Sequence, residues 1–369
     1  MLKSIPVTPV KGISGLLSTS VLVVIATATY LGSTDAALAQ QVTLPPPDPG
    51  SFSTTFDFLP DSRIVAFDGF EVSIQEALDS DSFIPIGTLP DAFQGGSDPA
   101  FVITDPSGSF FALSTGAGGS QFPDQPFNGS IFTLPLSGGT AQPAGNIPFN
   151  ASAAFQDSGE LFVNAGVDTF DSSSVQRLSV ETGNIQTVID NIPGASGGIA
   201  FDTAGNLFTG IGFDASGSRT GEIRSFSAAS LEQSLLSGVP LDFDADGVFV
   251  TQSLSAGSLV FDEAGDLFVG GGDLLGGGEQ GFIAEIDPTT GNVLRRLDPT
   301  DGDPDSGPTV FFGLAGNPAA ETIGAIDFFD PTRTVFQIST EVPEPSVMLG
   351  SAVALSLGFL VKRREKDLG

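Results

Sequence analysis

Three stretches of the chain follow one pattern: FQDSGELF at residues 155–162, FDTAGNLF at 201–208 and FDEAGDLF at 261–268. A looser copy, ITDPSGSFF, occupies residues 103–111. In each stretch an apolar residue leads into a turn rich in Asp, Ser and Gly, and a second apolar pair follows. This is typical of a β-hairpin, because Gly tolerates the positive φ that such turns need. The pattern therefore predicts a hairpin that recurs along the chain.

A second hairpin pattern follows the first. It reads RLSVETGNI at residues 177–185 and EIDPTTGNV at 285–293, with glycines 24 and 26 residues after those of the preceding hairpins. Residues 223–229, IRSFSAA, stand where the same hairpin is expected in a third copy. Two hairpins in succession give four strands for each repeating module.

The modules recur at a period that is typical of a β-propeller. Gly108, Gly159 and Gly205, the turn glycines of successive modules, are 51 and 46 residues apart. A four-stranded module of this length cannot bury both of its faces alone. Such modules therefore pack side by side and close into a ring. Residues 53–340 hold about six modules, so we predict an all-β propeller of about six four-stranded blades. The spacing is uneven elsewhere, and a pair of β-sandwiches or a β-solenoid are the alternatives.

The ends of the repeat suggest how the ring closes. Arg63–Ile74 is expected to form strands of the first blade, and Thr334–Ile338 to complete that blade from the other end of the chain. Ala229–Leu236 is the best candidate for a helix. The turn pattern resembles that of six-bladed propellers such as NHL-type and gluconolactonase-like proteins, and this resemblance implies no particular reaction.

The chain has 369 residues and contains no His, Cys or Trp. Between Gln40 and Glu341 it has 7 Arg, no Lys and 44 − 4 = 40 acidic residues, which gives this body a net charge of 7 − 40 = −33. Nucleophilic triads, thiolate or imidazole metal sites and Lys-dependent chemistry are excluded by composition. So strong a negative charge without a basic patch also excludes nucleic-acid binding.

Residues 1–39 have the features of a secretory signal. Lys3 and Lys11 precede an apolar helix-forming stretch, and Ala37-Leu38-Ala39 offers a small-residue cleavage site. The alternative is an uncleaved membrane anchor. Residues 40–52 are rich in Pro and are predicted to form an extended linker.

Residues 342–369 form a second terminal signal. Its order is a short Pro-Glu-Pro motif, an apolar stretch able to form a transmembrane helix at 347–361, and a basic stop. The motif and the stop are Val342, Pro343, Glu344, Pro345 and Lys362, Arg363, Arg364. This order resembles the PEP-CTERM sorting signal. The resemblance implies an exosortase as partner, secretion machinery, a transient inner-membrane anchor, and release or transfer to the cell surface or extracellular matrix. An ordinary C-terminal anchor is the alternative.

One acidic stretch has the spacing of a calcium loop. Asp242, Asp244, Asp246 and Gly247 follow the D-x-D-x-D-G pattern, in which alternate oxygens turn towards a hard cation. The twelfth position is Ser253 instead of the expected carboxylate, and the same residues also fit a hairpin turn.

Other acidic residues have simpler interpretations. Asp301, Asp303 and Asp305 form a further oxygen-rich stretch that equally suits a solvated loop. Asp157, Asp202 and Asp262 recur in the turns of the first hairpin and are predicted to bind backbone amides there.

These features favour an exported, non-enzymatic surface or matrix protein. Its expected contacts are the exosortase, the membrane before processing, and exopolysaccharide, with calcium as the conceivable cofactor and no nucleic acid. No catalytic residue is identifiable. Two alternatives remain open: a calcium-dependent propeller hydrolase or lactonase, and a passive surface spacer.

Overall fold

The structure is a computed structural model in which the described residues form 26 β-strands and one short helix. The described residues are 38–47, 54–90, 99–115, 129–166, 172–195, 197–214, 218–253, 255–272, 281–297, 310–311, 313–317, 320–327 and 333–340. The predictions for the signal sequence up to Ala37, for the acidic stretch 301–305, and for the sorting motif and basic stop concern residues outside these ranges. Within these ranges no helix is long and apolar enough to cross a membrane.

The first half of the chain forms three blades, each an antiparallel sheet built from the inside outwards. A separate strand, β1 (Leu38–Thr43), precedes them. Blade 1 contains β2 (Thr55–Phe58), β3 (Ile64–Phe67), β4 (Glu71–Gln75) and β5 (Phe83–Thr88). Blade 2 contains β6 (Phe101–Thr104), β7 (Phe110–Ser114), β8 (Ser130–Pro135) and, after the short β9 (Gly139–Thr140), β10 (Gln142–Asn146). Blade 3 contains β11 (Asn150–Phe155), β12 (Leu161–Gly166), β13 (Ser172–Leu178) and β14 (Ile185–Pro193).

The second half adds three more blades. Blade 4 contains β15 (Ile199–Phe201), β16 (Leu207–Gly210), β17 (Glu222–Phe226) and, after α1 (Ala228–Ser237) and the short β18 (Leu241–Asp242), β19 (Val248–Gln252). Blade 5 contains β20 (Ser258–Phe261), β21 (Leu267–Gly271), β22 (Phe282–Ile286) and β23 (Val293–Leu297). Blade 6 contains β24 (Gly313–Asn317), β25 (Thr322–Ile326) and β26 (Thr334–Ser339), to which β1 adds the fourth strand.

The innermost strands close a ring, which makes the body a six-bladed β-propeller. Each inner strand packs against the next in the order β2, β6, β11, β15, β20, β24, and β24 packs against β2 again. The prediction of about six four-stranded blades is therefore confirmed, and the sandwich and solenoid alternatives are excluded.

Ring closure differs from the prediction. Thr334–Ser339 is the third strand of blade 6, and it pairs with β1 in the register Val42↔Val335. Arg63–Ile74 does contribute strands to blade 1, as predicted, and these strands pair within that blade. The predicted linker is also shorter than expected, because its first residues, 40–43, belong to β1. The N-terminal strand thus completes the last blade.

Six hydrophobic clusters hold the ring together, one at each seam between neighbouring blades. Side chains alternate between the two faces of a strand, so each blade shares one face with each neighbour. Phenylalanine supplies the largest fully buried side chains: Phe67, Phe111, Phe132, Phe162, Phe226, Phe243, Phe268 and Phe311. In a chain that has no Trp, phenylalanine therefore provides the bulkiest side chains of the core.

The helix confirms one prediction and corrects another. It spans Ala228–Ser237, close to the predicted Ala229–Leu236. Ser227 caps its start by accepting a hydrogen bond from the Ser230 amide at 3.1 Å. The hairpin expected at 223–229 is absent, because α1 and β18 are inserted between β17 and β19.

Candidate functional site

The D-x-D-x-D-G stretch forms a tight turn between β18 and β19. Asp242 Oδ1 accepts hydrogen bonds from the backbone amides of Asp244 (3.0 Å) and Ala245 (2.8 Å). Asp246 Oδ2 accepts one from the amide of Asp242 at 2.8 Å. Two of the three predicted cation ligands therefore satisfy the amides of their own turn, as short acidic side chains in turns commonly do.

The remaining carboxylate, Asp244, is held by arginine. Arg219 donates to both oxygens of Asp244 (2.6 and 2.9 Å) and to both oxygens of Glu222 (2.8 and 2.9 Å). Arg224 donates to Glu222 Oε1 at 2.6 Å and to the backbone carbonyls of Asp244 (3.1 Å) and Gly247 (3.0 Å). We call Arg219, Glu222, Arg224 and Asp244 the arginine clamp.

The aromatic ring of Phe243 contacts both arginines of the arginine clamp. Phe243 is fully buried, and the guanidinium carbons of Arg219 and Arg224 lie 5.7 and 5.3 Å from its ring centre. Its ring in turn packs against Phe226, with centroids 6.2 Å apart. Both guanidinium groups therefore combine ion pairing with cation–π contact, which fixes the inserted segment to the body of blade 4.

Hydrogen bonds favour the ionised forms of three members of the arginine clamp, Asp244, Glu222 and Arg219. The hydrogen bond from Arg219 lowers the pKa of Asp244. Burial alone would raise the pKa of Glu222, but the hydrogen bonds from Arg219 and Arg224 together outweigh it and lower that pKa. The pKa of Arg219 is raised by its bonds to Asp244 and Glu222. A divalent cation at Asp244 would therefore have to displace Arg219.

No group of three or more acidic residues among the described parts of the chain is placed to hold a metal ion. The predicted trio is brought together as a turn, yet its carboxylates are directed to backbone amides and to Arg219. Calcium binding by this loop stays a prediction, to be tested by titration.

The recurring turn residues behave as predicted at two of three positions. Asp202 Oδ1 accepts from the amides of Ala204 and Asn206, and Asp262 Oδ1 accepts from the amide of Asp266. In the third copy the equivalent position is Gln156 and not Asp157, because Gln156 makes the corresponding backbone bonds to Gly159 and Glu160. These residues shape turns.

Buried and half-buried polar groups form hydrogen bonds between neighbouring blades at every seam. One example from each seam is Asp57 with the Thr104 amide, Ser114 with Asn150, Asn164 with Thr209, Ser255 with the Gly212 carbonyl, Ser258 with the Leu314 amide, and Ser62 with Asn317. Buried polar groups need such partners. These residues were not singled out from the sequence, because isolated Ser, Thr and Asn give no pattern.

Asp57 is the titratable member of this set. It lies on the inner strand β2, and its Oδ2 accepts from the Thr104 amide at 2.7 Å, while Thr104 Oγ1 donates to the Phe58 carbonyl at 3.1 Å. Burial raises the pKa of Asp57 to about 6, against the lowering effect of these hydrogen bonds. Because a raised pKa at a carboxyl group is a feature of many functional sites, Asp57 is a candidate functional residue among the described ones.

The arginine clamp could have been suspected from sequence. Glu222 and Arg224 stand two apart on one strand, so their side chains share a face. The scarcity of Arg in the body is a second signal, because each one is surrounded by surplus acid. The link from Arg219 to Asp244, 25 residues away, depends on the inserted helix and could not be read from spacing.

Among the comparisons with known proteins, one solved structure has a TM-score above 0.5 and supports the fold. No known family matches the chain, and no curated protein is significantly similar to it. A chain of a mitotic checkpoint complex is 12% identical with a TM-score of 0.51, covering 91% of this chain and 99% of its own. A candidate gluconolactonase is 14% identical (TM-score 0.48, covering 83% and 95%). The β-propeller domain of Cps50 (Swd1) from Myceliophteria thermophila is 11% identical (TM-score 0.46, covering 78% and 83%). At these identities the similarity concerns fold alone.

Proposed function

We propose that this propeller is an exported, non-enzymatic surface or matrix protein that an exosortase sorts through the tail 342–369. Its body would be displayed outside the cell and bind acidic exopolysaccharide through bridging divalent cations. The sorting role is supported by the order of motif, apolar stretch and basic stop in the sequence.

The proposed binding role rests on one observation: most of the few positive charges of the body form ion pairs within the body. Five of the seven arginines of the body form ion pairs with carboxylates of the same body: Arg63, Arg177, Arg219, Arg224 and Arg295. Few positive charges of the body are therefore left to compensate its surplus of acidic residues. A surface of one sign concentrates counter-ions and repels other polyanions unless divalent cations bridge them.

The lactonase alternative has one candidate residue, Asp57 on the inner strand β2, the pKa of which burial raises to about 6. Its carboxylate already accepts a hydrogen bond across the seam between blades 1 and 2, and this contact supports a structural role. We therefore keep catalysis as the second candidate.

Polysaccharide binding tests the first proposal. The purified full chain is titrated with an acidic polysaccharide in buffer alone, in magnesium and in calcium, at low and at physiological salt. We expect weak, multi-site binding that needs a divalent cation, barely distinguishes calcium from magnesium and weakens with salt. A single calcium-selective site that saturates at low concentration, together with hydrolysis of a lactone, would instead support the enzyme.

Surface display tests the sorting role separately. A tagged chain in which Val342–Pro345 is replaced by alanine is compared with the natural sequence in the native host. We expect the altered chain to stay with the inner membrane while the natural chain reaches the surface. Equal surface amounts of the two chains would refute sorting through this motif.

A further inference from the structure

Four exposed apolar side chains lie on two neighbouring outer strands. Ten large apolar side chains are exposed among the described residues. Four of these are Val248 (66%) and Phe249 (55%) on β19 of blade 4, and Val293 (57%) and Leu294 (52%) on β23 of blade 5. Single exposed apolar residues are common on soluble proteins, whereas a contiguous group of them indicates an interaction surface.

The two valines are directed to the same seam. Val248 lies opposite Ser225 in blade 4. Val293 lies opposite Ile286 in blade 5. Ile286 belongs to the hydrophobic cluster between these blades, as does Ile223, which is two positions before Ser225 and therefore on the same face of β17. Both valines thus flank the outer end of the seam between blades 4 and 5.

The turn between β22 and β23 brings the two strands together. Gly291 lies against the backbone of β19, because a Cβ atom at this position would be only 2.0 Å from the Val250 carbonyl oxygen. Gly291 is two positions before Val293, and Val250 directly follows Phe249, so the exposed apolar residues of both strands form one surface. We call Val248, Phe249, Val293 and Leu294 the rim patch.

Charged residues of opposite sign border the rim patch at its two ends. On the blade 4 side, the exposed Asp246 belongs to the acidic turn that precedes Val248. On the blade 5 side, the exposed Arg296 lies opposite Ala284, on the face that is directed to the same seam. Its guanidinium carbon lies 5.0 Å from the centre of the Phe282 ring. It forms no ion pair with a carboxylate in the described part of the chain.

This arrangement is self-complementary. A two-fold axis through the middle of the rim patch would place the apolar residues of two copies against each other. The same axis would bring Arg296 of each copy next to Asp246 of the other. An isologous contact needs such a surface, apolar in the centre and matched end to end. A second copy therefore supplies every group that the rim patch and its borders call for.

We propose that the rim patch is a self-association surface, through which two copies of the chain form a symmetric dimer with Arg296 of each copy paired with Asp246 of the other. The net charge of −33 opposes this contact, because two strongly acidic bodies repel each other. Salt screens the repulsion and leaves the apolar contact in place. The dimer therefore forms at high protein concentration and high salt, and the chain is monomeric in dilute solution at low salt. Neither export nor polysaccharide binding is required for it.

Sedimentation of the full chain in mild detergent tests the dimer at low and at high salt. We expect a monomer–dimer equilibrium that shifts towards the dimer as the salt concentration rises. Val293→Glu should weaken the dimer by about tenfold or more, because it places an unpaired charge at the centre of the contact. The matched control is Ile185→Glu, which adds the same charge to an exposed residue on the outer strand of blade 3 and should leave the equilibrium unchanged. A chain that stays monomeric at high salt, or equal weakening by the two substitutions, would overturn the proposal.

A charge exchange tests the two-fold symmetry. Arg296→Glu and Asp246→Arg should each weaken self-association, because each places like charges opposite each other twice in the dimer. A mixture of the two variants should associate again, because both contacts then join opposite charges. Thermal melting shows that each variant is folded, and Asp246→Asn replaces Asp246→Arg if arginine disturbs the turn. Failure of the mixture to recover association would refute the symmetric pairing. Association through the apolar ends of the chain would be the same in all variants and would also count against the rim patch.

Discussion

At the scale of single residues, Arg219 connects parts of blade 4 that are distant in sequence. It binds a buried glutamate, Glu222, and a half-exposed aspartate, Asp244, with two hydrogen bonds to each. The two partners differ in burial, with 8% and 55% of their side-chain surfaces exposed. Because a buried charge without its partner costs more than an exposed one, the two sides of the clamp should contribute unequally.

We expect Arg219→Ala to lower the free energy of unfolding by about 2–3 kcal/mol, because it leaves Glu222 with less compensation in its buried position. Asp244→Asn should cost less than about 1 kcal/mol, because the surface ion pair is weak and one hydrogen bond can be kept. Chemical denaturation of the two variants checks this order. Equal losses, or a larger loss for Asp244→Asn, would show that the loop and not the buried charge is the critical partner.

Asp57 predicts a specific pH dependence. Its pKa is raised from 3.8 to about 6 in the folded state, so between these values the folded protein keeps a proton that the unfolded chain has released. Stability from this group is therefore present at acid pH and lost as the pH rises through about 6. Asp57→Asn should raise the free energy of unfolding at pH 8 by about 1 kcal/mol, since the residue keeps some exposed surface, and change little at pH 4.

The matched control for Asp57→Asn is Asp157→Asn, which also removes one negative charge but from an exposed turn. Denaturation curves at pH 4, 6 and 8 separate the two. A gain at pH 8 shared by both variants would reflect net charge alone. A loss at pH 8 in Asp57→Asn would show that the ionised carboxylate strengthens the seam with Thr104.

At the scale of elements, the inserted helix is held by its apolar side. Leu231 of α1 is 1% exposed and belongs to the cluster between blades 3 and 4, whereas Leu236 on the same helix is 82% exposed. Leu231→Ala should cost about 2–4 kcal/mol through lost burial and the cavity left behind. Leu236→Ala should change stability by less than about 0.5 kcal/mol. Thermal and chemical unfolding of the pair checks this, and similar losses would mean that α1 packs differently.

Local features of these elements could be predicted from the sequence, and pairing between distant elements could not. The hairpin turns at Gly159, Gly205 and Gly265 were predictable because turn chemistry and strand alternation act over eight residues. The helix at 228–237 was recognisable from its composition. The strand β18 was not, because two residues carry no periodic signal and their partner β14 lies some fifty positions earlier.

In the candidate site, too, local features could be predicted from the sequence, and contacts between distant residues could not. The spacing of Asp242, Asp244 and Asp246 correctly located a tight acidic turn, because such side chains bind nearby amides in any context. The residue that faces this turn is Arg219, which lies in the connection between β16 and β17. Its position depends on the propeller fold. Seam residues such as Asp57 acquire their partners only when neighbouring blades pack together. Sequence spacing therefore located the turn but not the guanidinium of Arg219, which binds Asp244 in this structure.

At the scale of the whole molecule, the ring is closed by the first described strand and the last blade. β1 pairs with β26, and Val42, 1% exposed, joins the cluster shared by blades 6 and 1. The predicted cleavage after Ala39 would leave Gln40–Thr43 of this strand in place. Gln40 is also anchored by its side chain, which donates to the Leu78 carbonyl at 2.6 Å. Processing at that site is therefore compatible with closure.

A chain that begins at Gln40 should accordingly unfold at the same denaturant concentration as one that begins two residues earlier at Leu38. A chain that begins at Pro45 should be less stable by several kcal/mol, because it exposes β26 as an open edge and removes Val42 from its cluster. It should also self-associate through that edge, which sedimentation can detect. Adding a peptide of residues 38–44 should restore both stability and monomeric behaviour. If the chain starting at Pro45 remained monomeric and equally stable, closure by β1 would be dispensable, and the ring would be held by its inner strands and seams alone.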